Sequence, residues 1–204
     1  MPDRLPRHGD RRRVRVGLLG GSFNPAHAGH AHVAQAALRR LGLDQVWLLV
    51  SPGNPLKPTR GMAPLADRLA SAARIANGRR VVASGIEASL GTRFTVDTLR
   101  ALRRRFPLVH FVWLMGADNL VQLPRWRRWM TIARLMPVAV LPRPTYNCRA
   151  LAGRAAHRFR RARAPISAAS ILPLYQPPAW IFLPVPQHAA SATAIRAAAK
   201  EPVP

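Results

Sequence analysis

Six short apolar runs, each separated from the next by a stretch of different character, constrain this chain more than any other feature. They are Val14–Leu19, Gln45–Val50, Arg80–Ser84, Val109–Met115, Pro137–Leu141 and Ala179–Leu183. Runs of this length, bounded by Gly, Pro or Asn, read as strands buried on both faces. Between them, Ala28–Leu41 has helical spacing at Val33, Ala37, Leu38 and Leu41. Pro64–Asn77 predicts a second helix, with Pro64 near its first turn and Gly78 just past its end. Thr95–Arg105 predicts a third, with Thr95 as its N-cap and Pro107 as its stop. A turn at Gly116–Asn119 and a short helix follow the fourth run. Arg149–Arg163 reads as a basic surface helix, Ala164–Pro178 as a proline-rich loop, and Ser191–Lys200 as a last helix capped by Ser191.

Strands that alternate with helices imply an α/β fold with a parallel sheet covered on both sides. Right-handed crossovers leave few arrangements. The simplest is a Rossmann-like, doubly wound parallel sheet of strand order 3-2-1-4-5-6 with a C-terminal helical segment. Strands 1 and 4 are then neighbours, and ligands bind beyond their C-terminal ends. The loops after Leu19 and Met115 are therefore the ones to inspect.

The length of 204 residues suits one domain with a sizeable core. We divide the chain into a basic N-terminal arm, residues 1–13, and a single domain, residues 14–204. No run approaches the roughly 18 apolar residues of a membrane span. The start makes no signal peptide, so the expected compartment is the cytoplasm. Cys148, the only cysteine, allows neither an internal disulfide nor a cysteine metal cluster.

The formal net charge is +24. Such a field attracts phosphates, of nucleotides or of nucleic acid. Lysine occurs only at Lys57 and Lys200, so nearly all of the 32 basic residues are arginine. The clusters Arg11–Arg13, Arg103–Arg105, Arg125–Arg128 and Arg154–Arg163 are scattered, and no RNA-binding or zinc-finger signature accompanies them. Nucleic acid is thus expected to bind only non-specifically. The sequence leaves oligomeric state open, a homo-oligomer included.

The first loop reads Gly20-Gly21-Ser22-Phe23-Asn24-Pro25-Ala26-His27-Ala28-Gly29-His30. Two glycines let the backbone turn sharply and approach a ligand closely. A helix then starts near Ala28, and its first amides and dipole favour a phosphate. His27 and His30 lie one helical turn apart and can face the same anion. The loop is neither G-x-x-x-x-G-K-[ST] nor G-x-G-x-x-G, which excludes a P-loop and the usual hydride-enzyme fingerprint. No third metal ligand is near, so no protein metal site is expected.

This loop resembles the GG-[ST]-F-[ND]-P-x-H-x-G-H signature of the HxGH nucleotidyltransferase superfamily. Ser191-Ala192-Thr193-Ala194-Ile195-Arg196 resembles its C-terminal [ST]-x-T-x-I-R, with Ala192 where many relatives have a second hydroxyl. Four further stretches resemble the bacterial nicotinate-nucleotide adenylyltransferases in particular. They are Ser51–Pro58 after strand 2, Phe94-Thr95-Val96-Asp97-Thr98-Leu99, Gly116-Ala117-Asp118-Asn119-Leu120, and the pair Trp126 and Trp129. The likeness runs from about residue 14 to about residue 200.

The resemblance implies an enzyme that transfers AMP from ATP to nicotinate mononucleotide, giving deamido-NAD and pyrophosphate. It implies Gly20, Gly21, Ser22, Phe23, Gly116, Asp118, Ser191 and Thr193 around ATP, with His27, His30 and Arg196 catalytic at its triphosphate. Asn54, Lys57, Phe94, Thr95 and Trp126 would serve the acceptor, and Mg²⁺ would come carried by the ATP phosphates. Plain structural readings stand beside these: Asn54 as a turn residue, Lys57 as a solvated cation, Thr95 as a cap, Trp126 as core. Two rivals are a relative using nicotinamide mononucleotide or phosphopantetheine as acceptor, and a basic nucleic-acid-binding protein.

Overall fold

The computed structural model describes residues 5, 13–53, 61–186 and 192. Its six strands form one all-parallel sheet of order β3-β2-β1-β4-β5-β6, as the run pattern predicts. They are β1 (Arg15–Gly21), β2 (Gln45–Val50), β3 (Val81–Ser84), β4 (His110–Gly116), β5 (Val138–Leu141) and β6 (Trp180–Phe182). The helices are α1 (Ala28–Arg40), α2 (Leu65–Ile75), α3 (Ile86–Ser89), α4 (Thr95–Arg105), α5 (Ala117–Gln122), α6 (Trp129–Leu135), α7 (Asn147–Leu151) and α8 (Arg154–Arg158).

Alternation along each strand divides the core into two layers. Leu18, Trp47, Leu49, Phe111, Trp113 and Met115 point to one face, where Val96, Leu99 and Leu102 of α4 cover them. Leu19, Val46, Leu48, Val112 and Leu114 point to the other, against Ala34, Ala37 and Leu38 of α1 and Ala72 of α2. Small residues on α1 let that helix lie close to the sheet. Leu5, in the expected arm, is 7% exposed and belongs to the first layer.

Parallel pairing sets β1 between β2 and β4, with Gly20 beside Leu49 and Leu19 beside Leu114. Connections leave β1 and β4 towards opposite faces, so a crevice opens above their C-terminal ends.

The sequence expectations differ from the fold in four places. Arg149–Arg163 is not one helix: α7 and α8 are separate, with extended Gly153 capping α8. A Cβ at Gly153 would stand 2.9 Å from the Arg149 carbonyl oxygen, so only glycine fits this break. Nor is it a surface element throughout, since Ala155, Ala156 and Phe159 are buried. Within the expected loop, Ile166–Leu174 forms a 3₁₀ helix that buries Ala168, Ala169 and Leu172. Helix α4 begins with Thr95 as its first residue; Phe94 is the N-cap, and no side chain caps it. The expected last helix lies outside the described residues, apart from Ala192.

Phe106, fully buried, meets Trp47 at 5.2 Å and Phe111 at 6.2 Å between ring centroids, both edge to face. Phe106→Ala should cost about 3–5 kcal/mol through lost burial and the void left behind. Urea unfolding followed by circular dichroism checks this: the midpoint should fall with the slope unchanged.

Candidate active site

The loop after β1 is shaped by packing. A Cβ on Gly20 would lie 2.5 Å from the Trp113 ring, so glycine is what lets the indole pack over the strand end. Phe23 follows with φ of 47°, in the left-handed region. That conformation costs a non-glycine residue roughly 1–2 kcal/mol. Burial of its ring, 1% exposed, offsets the cost and turns the chain towards α1.

Helix α1 has an unusual histidine capping box. His27 is the extended N-cap, and its Nδ1 accepts from the Gly29 amide at 3.1 Å. In return, His30 Nδ1 accepts from the His27 amide at 3.2 Å. An Nδ1 that accepts from an amide holds no proton, so both neutral rings carry theirs on Nε2. Each is thereby a fixed Nε2–H donor. The rings lie 3.9 Å apart, and Phe23 packs on His30 at 4.8 Å.

Burial pushes the His30 pKa down to about 3, reinforced by His27 and by the Arg143 guanidinium. Arg143 follows β5 at the same edge of the sheet as α1's N-terminus. His30 is therefore a neutral donor at pH 7, ready for an anion without adding charge of its own.

Beside this loop lies a cavity of about 310 Å³. Gly20, Gly21 and Ser22 line one side, and Ser51 and Gly53 of the loop after β2 adjoin them. Phe94 and Thr95 bring in the start of α4, and Trp126 closes the far side with Arg125 and Arg127. The Arg127 guanidinium lies over the Phe94 ring, 4.6 Å from its centroid. With no side-chain cap on α4, its first amides face no competing side-chain acceptor.

Glu87 of α3 also lines this cavity. Burial raises its pKa, while hydrogen bonds from the Thr98 and Ser51 hydroxyls act the other way. Thr98 Oγ1 donates to Glu87 Oε1 at 3.1 Å and lies 2.8 Å from Thr92 Oγ1. The Thr92 amide donates to the Glu87 carbonyl at 3.1 Å. This web ties the turn before α4 to α3.

Of the residues singled out from sequence, Gly20, Gly21, Ser22, Phe94, Thr95 and Trp126 thus share one cavity. Phe23, His27 and His30 stand beside it in the same loop rather than on its wall. Gly116 ends β4, and the Asp118 carboxylate of α5 packs against it; Asn119, not Asp118, reaches the cavity. Trp126 lines the cavity and also packs on the first core layer. Asn54, Lys57, Ser191, Thr193 and Arg196 lie outside the described residues. Glu87, Arg127 and Arg143 were missed from sequence. Arg143 had a signal, since it follows a parallel strand at the ligand-binding end. Among the described residues, no group of three His, Cys, Asp or Glu could hold a metal ion.

Residues 18–198 match the cytidylyltransferase-like family model, which is the class to which this sheet and loop correspond. The chain is 60% identical to a protein of Gluconacetobacter diazotrophicus named as a nicotinate-nucleotide adenylyltransferase, over 94% of this chain and 89% of that one. A protein of Gluconobacter oxydans with the same name is 59% identical, over 90% of this chain and 94% of that one. Among solved structures, the Plasmodium falciparum nicotinic acid mononucleotide adenylyltransferase complexed with NaAD shares the fold, with a TM-score of 0.66 at 14% identity over 90% and 83% of the chains. The chain belongs to the nicotinate-nucleotide adenylyltransferase family.

The depressed His30 pKa has a stability consequence. Between pH 6.5 and about 3 the unfolded chain takes up a proton at His30 that the folded chain refuses. Stability that His30 permits above pH 6.5 is therefore lost as pH falls through that window. In urea titrations from pH 7 to pH 4, His30→Asn should lose less stability than the parent. An equal acid-side loss in both proteins would contradict a neutral, desolvated ring.

Proposed function

We infer that the chain transfers the adenylyl group of ATP to nicotinate mononucleotide, releasing pyrophosphate and forming deamido-NAD. One observation carries the reading: the histidine-capped start of α1 and the uncapped start of α4 flank the same crevice. The first suits a phosphate chain by its imidazole donors and the helix dipole, and the second a carboxylate by its open amides and dipole.

The acceptor supplies its own nucleophile, since a phosphate monoester is largely a dianion at neutral pH. Its oxygen attacks the α-phosphorus of ATP in line. A new P–O bond forms as the bond to the β-phosphate oxygen breaks, and pyrophosphate carries the charge away. The protein contributes position and charge stabilisation. His27 and His30 offer Nε2–H donors to phosphate oxygens, and Gly20 and Gly21 let the backbone come close. Arg196, Ser191 and Thr193 are assigned to the same phosphates by their match to the C-terminal motif of the family. Asp118 is assigned to the ATP nucleotide. The amides of Phe94 and Thr95, with Asn54, bind the pyridine carboxylate while Trp126 stacks on the ring. Lys57 is assigned to the acceptor.

Mg²⁺ suits this site as a passenger on the nucleotide. Mg²⁺ is usually held by substrate phosphates with at most one or two carboxylates rather than by an all-protein cage, and among the described residues no group of three His, Cys, Asp or Glu could form such a cage. When bound, it draws negative charge off the phosphate oxygens. Among the described residues, no helix is long and apolar enough to cross a membrane. We place the reaction in the cytoplasm, where ATP and mononucleotides are found.

Pyrophosphate release from ATP and Mg²⁺ should be fast with nicotinate mononucleotide and far slower with nicotinamide mononucleotide or phosphopantetheine. Equal rates with all three would remove the acceptor assignment. His30→Ala should lower turnover roughly 10²–10³-fold, the usual cost of one charge-stabilising contact, with the protein still folded by circular dichroism. Trp126→Ala should raise the acceptor KM about tenfold, the low end of base–aromatic stacking, and leave the ATP KM nearly unchanged.

A further inference from the structure

Helix α2 lies behind both loops that meet at the crevice, and one of its side chains holds them together. Arg68 is only 2% exposed. Its Nη1 donates to the Ser22 carbonyl at 2.9 Å and to the Ser51 carbonyl at 2.6 Å. Its Nη2 donates to the Pro52 carbonyl at 3.1 Å, and its Nε to the Ala63 carbonyl at 2.9 Å. One guanidinium thus spans the loop after β1, the loop after β2 and the segment before α2.

The partners show what this arginine is for. All are carbonyl oxygens, so the side chain is not there as half of an ion pair. Burial without a counter-charge lowers its pKa and makes it a costly way to fill space. An apolar residue would fill the same volume without that cost. What only a guanidinium supplies is a flat fork of five donors at fixed angles, able to hold several backbone oxygens in one plane.

Other bonds brace the loop after β1, one from α2 and two from the segment before it. Ser71 Oγ accepts from the Ala26 amide at 3.0 Å, and the Asn24 side chain bonds the Gly61 carbonyl at 3.1 Å and the Ala63 amide at 3.3 Å. The loop after β2 is joined to β1 by the Ser51 amide, which donates to the Gly21 carbonyl at 3.0 Å. Arg68 adds the link that sets the two loops against each other, and Ser22, Ser51 and Gly53 all line the cavity.

We propose that Arg68 is a positioning residue for adenylyl transfer: by clamping Ser22 to Ser51 and Pro52 it sets the distance between the ATP loop and the acceptor loop. This rests on the adenylyltransferase reading above. Each loop can bind its own substrate without the clamp. Bringing acceptor oxygen and α-phosphorus into line requires both loops at once, and a misplacement of about 1 Å can cost on the order of 10²-fold in rate.

The test compares the parent with R68A and R68K. It measures kcat, the dissociation constants of nicotinate mononucleotide and of a non-hydrolysable ATP analogue each bound alone, and folding by circular dichroism. Both variants should be folded at the assay temperature and bind each ligand within about threefold of the parent. Their kcat should fall on the order of 10²-fold. Lysine keeps the charge but not the fork, so R68K should be no better than R68A. Millimolar guanidinium ion should restore R68A at least tenfold, and ammonium should not.

The proposal is overturned if either folded variant keeps kcat near the parent's, if the loss follows weaker binding of a single ligand, or if R68K restores turnover. It is also overturned if both variants are unfolded, which makes Arg68 a folding residue only. A parent protein that makes no dinucleotide sinks the adenylyltransferase reading itself, and this proposal with it. An active parent with active variants sinks the proposal alone.

Discussion

The parallel pairing of β1 with β4 is the constraint on which the rest of the structure depends. A doubly wound sheet must reverse its strand order somewhere, and here it does so between these two strands. The chain leaving β1 passes to one face and the chain leaving β4 to the other. The crevice at their ends is thus a product of connectivity, not of any one side chain. Everything placed in it, from the glycine pair to the start of α4, inherits its position from that reversal.

Two helix ends meet at this crevice, and they are prepared differently. The start of α1 is closed by its own histidines, whose Nδ1 atoms take up two backbone amides and so fix the protons on Nε2. The start of α4 is left open, with Phe94 extended and, among the described residues, no side chain capping its amides. The web of Thr92, Thr98 and Glu87 positions that end from behind without capping it. One end offers side-chain donors on a rigid frame and the other offers the backbone itself. That asymmetry suits two different anions, a phosphate chain and a ring carboxylate.

Most of this was legible in the sequence, for physical reasons. Strands buried on both faces must be apolar throughout, so all six stand out as continuous runs. The glycine–histidine loop is legible because few residue types allow a backbone to approach a ligand so closely. Helices α3 and α6, with four and seven residues, are too short for a hydrophobic period to show. The break at Gly153 hid inside an arginine-rich stretch that looks uniformly helical. Arg68 was invisible for the same reason. In a chain where arginine is placed almost everywhere on the surface, nothing local marks the one that turns inward. Thr95 misled because a hydroxyl residue before an apolar period is the usual cap, whereas here the helix starts one residue earlier than that rule implies, with Thr95 already inside it.

The charge of the chain and the neutrality of His30 belong together. No acidic residue occurs between Asp118 and Glu201, so the whole C-terminal part of the molecule contributes only positive charge. A field of that kind draws polyanionic nucleotides in but opposes any further cation at the crevice. An imidazolium at position 30 would first of all lose its hydration to burial, and would then face His27 and the Arg143 guanidinium. The ring avoids the cost by staying neutral, with its Nδ1 committed to a backbone amide and its Nε2–H left to donate. Attraction is thereby assigned to arginines spread over the surface, and recognition to a neutral donor whose tautomer the fold itself sets. The two functions do not compete, because the ring at the start of α1 carries no charge of its own at pH 7.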